Sequence, residues 1–389
     1  MEYFADLHVH IGEAKGQPVK ITASRKLTLA NIIDTCLNKK GIGIVGIVDC
    51  ASPYVLMEIE EHLLSGKIYE LPSGGLSYND QLTIIMGAEI ETGEARGAAH
   101  SIAYFPYVEQ MRDFSKIMSE HITNITLSSQ KARLNAKQLF KIVKKLGGKL
   151  IPAHVFTPFK SFYGSCYDRL NEGFGSDLKE ISAIELGLSA DTYFADTIME
   201  LSDKSFLSNS DAHSLSKIGR EYNKFKLKKP DFESIFSALK RKQGENSLKA
   251  NYGLKPELGK YHRTFCEDCG FIAEESPPVL TCNRCQSKNI TLGVLDRINS
   301  ICDYKEPQHP AFRPPYQYQI PLEFIPGVGK KTIERLISNF DSEMNVIHNT
   351  DLEQLTNVVG EKIAKRIVKA RQGTLRLMAG GGGFYGKVL

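Results

Sequence analysis

Asp6-Leu7-His8-Val9-His10 ends the apolar run that begins at Tyr3, and the rest of the chain falls into order around it. Such a run reads as a short buried strand. On an extended backbone, residues two apart face the same way, so His8 and His10 share one face at the strand's end. Two imidazoles so placed can hold one cation, and imidazole suits zinc, manganese or iron better than calcium. Alone, the pair reads equally well as two ordinary histidines. The case for a metal comes from partners further along.

Those partners sit in a repeating pattern. Apolar strand-like runs at 43–49, 82–89, 149–154, 183–186 and 205–211 alternate with helical stretches such as 134–146, where Leu139, Ile142, Val143 and Leu146 recur at helical spacing. This alternation predicts an α/β fold with a mainly parallel sheet, open or closed into a barrel. A polar or metal-capable residue ends each run, at the edge where parallel α/β barrels build their active sites. In order these residues are His8 and His10, Asp49, Glu89, His100, His154, and Asp211 with His213. Singly, each has an ordinary reading, as a hydrogen-bonded histidine or a helix-capping aspartate. Gathered at one sheet edge without cations, they would cost several kcal/mol in repulsion and desolvation. A multinuclear site resolves this, with a carboxylate bridging two ions about 4 Å apart.

The series Asp-x-His-x-His, Asp49, Glu89, His100, His154 and Ser210-Asp211-Ala212-His213 resembles the polymerase-and-histidinol-phosphatase (PHP) superfamily. That resemblance covers about residues 1–240 and implies a distorted (β/α)7 barrel that hydrolyses phosphoesters with two or three metals (zinc, manganese or magnesium). It implies that His8, His10, Glu89 and Asp211 hold one ion. Glu89 bridges to a second, held with His100 and His154, while His213 serves a third or orients the phosphate. Glu89, Asp211 and His213 are then the catalytic candidates. Where the superfamily has Asp-His, this chain has Asp49-Cys50. Cys50 is either a substitute ligand or a small buried residue.

Four of the eight cysteines form two Cys-x-x-Cys pairs, Cys266/Cys269 and Cys282/Cys285, twelve residues apart. Four thiolates in that arrangement suit a closed tetrahedral structural zinc. A segment of about 35 residues cannot bury enough core to fold unaided, so the metal is expected to stabilise it.

Near the C-terminus, 324–333 (with Pro326-Gly327-Val328-Gly329-Lys330-Lys331) and 356–367 (around Gly360, Lys362 and Lys365) resemble two helix-hairpin-helix copies. Gly327 and Gly329 permit a tight turn that brings backbone N–H groups to a phosphate, and the lysines add charge. Such contacts bring affinity with little sequence preference.

The expected organisation is 1–240, the PHP-like metallo-phosphoesterase domain; 241–302, connector and zinc ribbon; 303–321, a proline-rich linker; 322–375, tandem helix-hairpin-helix; and 376–389, a glycine-rich tail. That order resembles the endonuclease Q family of repair nucleases. The resemblance implies a DNA endonuclease cutting 5′ of uracil, hypoxanthine, xanthine or an abasic site, leaving a 3′-hydroxyl and a 5′-phosphate. The rivals are a PHP-type 3′ exonuclease or phosphatase acting on DNA ends, and a non-catalytic DNA-binding scaffold. An extruded base needs a wall, for which Tyr163 and Tyr167 in the aromatic loop 156–175 are the candidates. Residues 372–377 loosely resemble a sliding-clamp peptide. No apolar run approaches the roughly 20 residues of a membrane span. No secretory signal is visible, so a cytoplasmic, nucleoid-associated monomer is expected.

Overall fold

Strand β1 (Glu2–Val9) is buried from Ala5 onward and lies inside the main sheet. The computed structural model describes residues 1–240 and 244–389. The expected barrel–connector boundary at 240/241 touches residues 241–243, which lie outside the described residues. Beside β1 runs β2 (Ile44–Ile47), parallel to it, then β3 (Leu82–Gly93), parallel to β2. β4 (Ala98–Phe105) and β5 (Lys149–Pro152) continue the sheet antiparallel. β6 (Ala183–Glu185) and β7 (Ser205–Leu207) form a separate parallel pair. On the other flank of β1 come β8 (Tyr222–Lys226) and β9 (Ser247–Gly253), both antiparallel, then β10 (Tyr316–Tyr318), parallel to β9.

The sheet is mixed where the alternation predicts mainly parallel. Only residues 94–97 join β3 to β4, too few for the crossover that parallel neighbours require. His100 nonetheless reaches the same edge as the other candidates, because an antiparallel strand presents its beginning there: His100 stands opposite Glu91 of β3.

Buried hydrogen bonds close the sheet into a barrel. Val155, just after β5, donates its N–H to the Glu185 carbonyl at 3.0 Å. Across the other gap, the Leu7 N–H donates to Asn209 Oδ1 at 3.1 Å, and Asn223 Nδ2 donates to the Ser208 carbonyl at 2.9 Å. Side-chain amides thus replace the backbone ladder on the side of β7 that faces β1 and β8. The enclosed space is filled by Leu7, Ile44, Ile85, Ile102, Ile151, Leu207 and Phe225. Tyr104 spans it, donating its hydroxyl to the Leu7 carbonyl at 2.7 Å. A larger apolar cluster packs the helices on the outside.

The later segments are fastened to the barrel. β9 and β10, from the expected connector and linker, extend the main sheet. Within 303–321, Arg313 reaches Asp196 at 2.6 Å and His309 reaches the same carboxylate at 2.6 Å. The helices Lys330–Phe340, Glu343–His348, Leu352–Val359 and Glu361–Arg371 dock through a buried Lys40–Glu343 pair at 2.9 Å. His348 also stacks on Phe4 at 4.7 Å. The clamp-like segment is used internally: Leu375 and Leu377 pack on the core, and Leu377 pairs with Val388. Among the described residues, no helix is long and apolar enough to cross a membrane.

Asp196 has a fully buried side chain, and so, within 2%, has Arg313. Asp196→Ala strips this carboxylate from a buried guanidinium and is expected to cost about 3–5 kcal/mol, read by urea unfolding. A change under about 1 kcal/mol would show that the segment is held by other contacts.

Candidate metal centre

His8 and His10 leave β1 with their ring centres 5.1 Å apart, on one face. Each is oriented through its Nδ1. For His8 the partner is Glu185 Oε2, at 2.9 Å; for His10 it is Asp49 Oδ1, at 3.0 Å. An ionised carboxylate only accepts, so Nδ1 carries the proton and Nε2 keeps its lone pair. Both Nε2 atoms are buried without a hydrogen-bond partner. An orphaned, pre-oriented imidazole nitrogen backed by a carboxylate is the arrangement of a metal ligand.

Two groups of donors form, His8–His10–Asp211 and Glu89–His100–His154, the potential ligand atoms of each lying within 4.8 Å of one another. Glu89 touches both. Its Oε1 lies 2.8 Å from His100 Nδ1, 3.3 Å from His154 Nε2 and 3.5 Å from His8 Nε2, while its Oε2 lies 3.6 Å from His10 Nε2. The donor set fits two divalent ions with Glu89 between them. His154 and Asp211 stand in left-handed backbone, at φ +30° and +46°. For non-glycine residues such conformations persist only where the surroundings enforce them.

The electrostatics are those of a site built for cations. Burial pushes the Glu89 carboxyl up, but His100 and Lys20 outweigh it and hold the group well below the usual range. Asp211 is likewise held far down, with His10 and His8 overcoming burial. Lys20, from the loop after β1, places its ammonium 2.8 Å from Glu89 Oε2.

Several expected residues stand outside these two groups. Asp49 lies outside both groups, its oxygens taken by His10, the Ile11 N–H and Ser128. Cys50 is no substitute ligand: it is buried, its thiol donates to the Ile47 carbonyl at 3.2 Å, and burial pushes its pKa up. His213 stands beside His10, ring centres 4.6 Å apart, and burial holds it down to about 4. The Tyr163 wall is corrected. Its ring is fully buried against Phe156 and its hydroxyl donates to Glu200 at 2.7 Å, so no base can reach it. Tyr167 is committed to Glu94 at 2.9 Å.

Sequence reading missed Glu185, Glu91 and Lys20. Glu185 stands one residue before the end of a predicted strand, at the same sheet edge as the others. Glu91 lies two residues past Glu89 on one strand face and meets Lys160 at 2.8 Å. Lys20 carries no signal, since an irregular loop delivers it.

The four cysteines also converge. Cys266 and Cys285 sulfurs are 3.6 Å apart, as are those of Cys269 and Cys282. Zinc–sulfur bonds of about 2.3 Å in a tetrahedron require about 3.8 Å, so the cradle fits. The Cys285 backbone N–H helps pull the Cys282 thiol down to about 7, favouring thiolate. In the helical region, Gly327 and Gly360 adopt φ +91° and +80°, and Gly329 caps the helix that follows. Both glycine turns, and Lys330, Lys331, Lys362 and Lys365, are exposed.

Residues 320–372 match the SAM-like helix-hairpin-helix tandem family, and residues 194–243 match the PHP-associated family. The uncharacterized protein YqxK of Bacillus subtilis (strain 168) is 45% identical over 389 residues, 99% of this chain and 98% of its own. The lesion-specific endonuclease PfuEndoQ of Pyrococcus furiosus superposes over 100% of this chain and 95% of its own, at TM-score 0.84 and 31% identity. The chain belongs to the endonuclease Q family. A second endonuclease Q structure, complexed with a 27-mer duplex bearing an abasic lesion at its active site, gives 0.85 and 32% over 100% and 96%. As a member the chain is a metal-dependent endonuclease.

Asp49→Asn and Glu185→Gln should each weaken Mn²⁺ binding about 10–100-fold, by loosening the rings they orient. Isothermal titration measures this; unchanged affinity in both variants would remove the two carboxylates from the metal centre.

Proposed function

We propose that the chain cuts duplex DNA at damaged nucleotides, hydrolysing the phosphodiester 5′ of a deaminated base or abasic site and leaving a 3′-hydroxyl and a 5′-phosphate. The observation that carries this reading is the pair of cavities meeting at the metal-ligand cluster. One, of about 440 Å³, is lined by Ser189, Asn209, Lys217, Lys260, Tyr261 and Tyr385 as well as His154, Asp211 and His213. The other, of about 400 Å³, is lined by Lys20, Ser129, Gln130, Phe159 and Lys160 together with His100 and the same three residues. An exonuclease needs one chamber for one chain end. Two chambers flanking the cluster suit a strand that continues on both sides of the scissile phosphate. The first has aromatic faces, amide and hydroxyl groups, and room for one extruded nucleotide. The abasic duplex bound by the related endonuclease Q supports the same reading.

His8, His10 and Asp211 would hold one divalent ion, and His100 and His154 a second, with Glu89 shared. Such a pair supplies Lewis-acid stabilisation of an in-line displacement and a nucleophile at neutral pH. The chain supplies the rest. Lys20 and Lys160 face the phosphate's negative charge from one chamber, and Lys217 and Lys260 from the other. Asp49 and Glu185 orient the imidazoles. His213, neutral at pH 7, offers the phosphate a ring edge rather than a charge. The four cysteines would hold a structural zinc. The exposed turns at Gly327 and Gly360, with Lys330, Lys331, Lys362 and Lys365, grip the flanking backbone.

Labelled duplexes carrying one uracil, hypoxanthine, xanthine or abasic site, incubated with Mn²⁺ or Mg²⁺, test the reading. A single nick immediately 5′ of the lesion is expected, lost in Glu89→Ala while duplex binding persists. Release of mononucleotides from the ends, with lesions ignored, would overturn it. Replacing Lys330, Lys331 and Lys362 by Ala should lower the slope of log affinity against log salt by about 0.9 for each phosphate no longer neutralised. An unchanged slope would take the hairpins off the DNA.

A further inference from the structure

The glycine-rich tail reaches the cavity beside the metal-ligand cluster. Leu377–Met378 and Lys387–Val388 form a small antiparallel hairpin. Its connecting loop lies on the connector and the cysteine module: Gly380 N–H donates to the Glu257 carbonyl at 2.7 Å, Gly386 N–H to the Leu258 carbonyl at 3.0 Å, and Gly381 bridges Arg263. The contact is backbone on backbone. A Cβ at Gly380 would meet the Gly259 carbonyl oxygen at 2.5 Å, and one at Gly386 the Met378 carbonyl oxygen at 2.4 Å. The glycines are there to let the chain lie this close, and the result is that Tyr385 projects into the larger cavity.

Tyr385 has a specific partner. Its hydroxyl accepts from Arg220 Nη1 at 2.5 Å, while Lys260 sits 4.8 Å from its ring centre and Phe324 meets the ring edge-on at 5.9 Å. Arg220 is buried, and its remaining donors hold the turn that carries Asp211: Nε reaches the Ser210 carbonyl at 2.7 Å and Nη2 the Asp211 carbonyl at 3.3 Å. That turn is the left-handed one at φ +46°. A residue in such backbone needs external restraint, and a guanidinium fork on consecutive carbonyls supplies it.

We propose that Tyr385 is a positioning residue for Asp211, acting through Arg220, so that the C-terminal tail is a working part of the metal centre. This rests on the reading of Asp211 as a metal ligand. Tyr385→Phe removes the hydroxyl and keeps the ring, and Arg220→Lys removes the fork and keeps the charge. Full-length protein of each is titrated with Mn²⁺ by calorimetry, beside Asp211→Asn. Nicking of an abasic duplex is followed against Mn²⁺ concentration. Both variants should bind Mn²⁺ about 10-fold more weakly and need correspondingly more Mn²⁺ for half-maximal nicking. At saturating Mn²⁺ the nicking rate of both variants should recover toward that of the unmodified chain. A merely structural defect would not be rescued by metal, and that result overturns the proposal. Weakened binding in Asp211→Asn with normal binding in Tyr385→Phe also overturns it, leaving the metal centre as described. Unchanged binding in Asp211→Asn would instead remove Asp211 from the ligands and the proposal with it.

Discussion

Glu89 is almost wholly enclosed, yet four histidines and a lysine stand close to its two oxygens. A carboxylate taken out of water in this way is costly unless charge of the opposite sign comes with it. Lys20 brings one such charge, but Asp49, Asp211, Glu185 and Glu91 crowd the same few ångströms. Divalent cations held by these donors would strike the balance, and the barrel has the shape to receive them. β1, β2 and β3 run parallel so that their ends meet at one edge. The antiparallel β4 brings in His100 from its first half, and the turns after β5 and β7 hold His154 and Asp211 in left-handed backbone. The fold can be seen as the set of constraints that keeps this many like charges together.

Charge of this kind also needs fixed orientation. Each histidine of the opening pair is tied by a carboxylate at Nδ1, which leaves Nε2 free, and the restraint extends outward. Glu185 also accepts from Asn209 Nδ2 at 3.0 Å, and Asn209 in turn accepts from Asn223 at 2.9 Å. The asparagines that close the barrel are thus continuous with the groups that orient its ligands. Loss of closure and loss of metal affinity are coupled by construction.

Much of the centre was legible in the sequence because it obeys short-range rules. His8 and His10 share a face because extended chain alternates, and strand ends fall at one edge because parallel α/β connections put them there. Four cysteines in two close pairs carry their purpose in their spacing, and Gly327 and Gly360 occur where positive φ is required. What was not legible depends on long-range placement. Tyr163 sits in an aromatic loop, and nothing local shows that the loop folds inward instead of lining a pocket. Lys20 reaches Glu89 from an irregular segment. The mixed sheet needed the count of residues between β3 and β4. Asp49 was found by the edge rule, but whether a strand-end carboxylate binds a metal or steadies a histidine is decided by about an ångström.

The proline-rich segment and the glycine-rich tail show why composition underdetermines order. Both have the look of linkers, and both are anchored. Proline fixes the backbone of 303–321 in the extended form that a sheet edge accepts, so that β10 adds to β9 and Arg313 reaches Asp196. Glycine permits backbone to lie on backbone, which is how the tail seats against Glu257 and Leu258. Flexibility of the unfolded chain is therefore no guide to flexibility of the folded one, since the residues that order most expensively also tolerate the closest contacts. In this chain they bring the helix-hairpin-helix region and the donors around Glu89 into one framework. The helix-hairpin-helix region and the donors around Glu89 are thereby held at a fixed separation, which the proposed cut at a set position relative to a lesion would require.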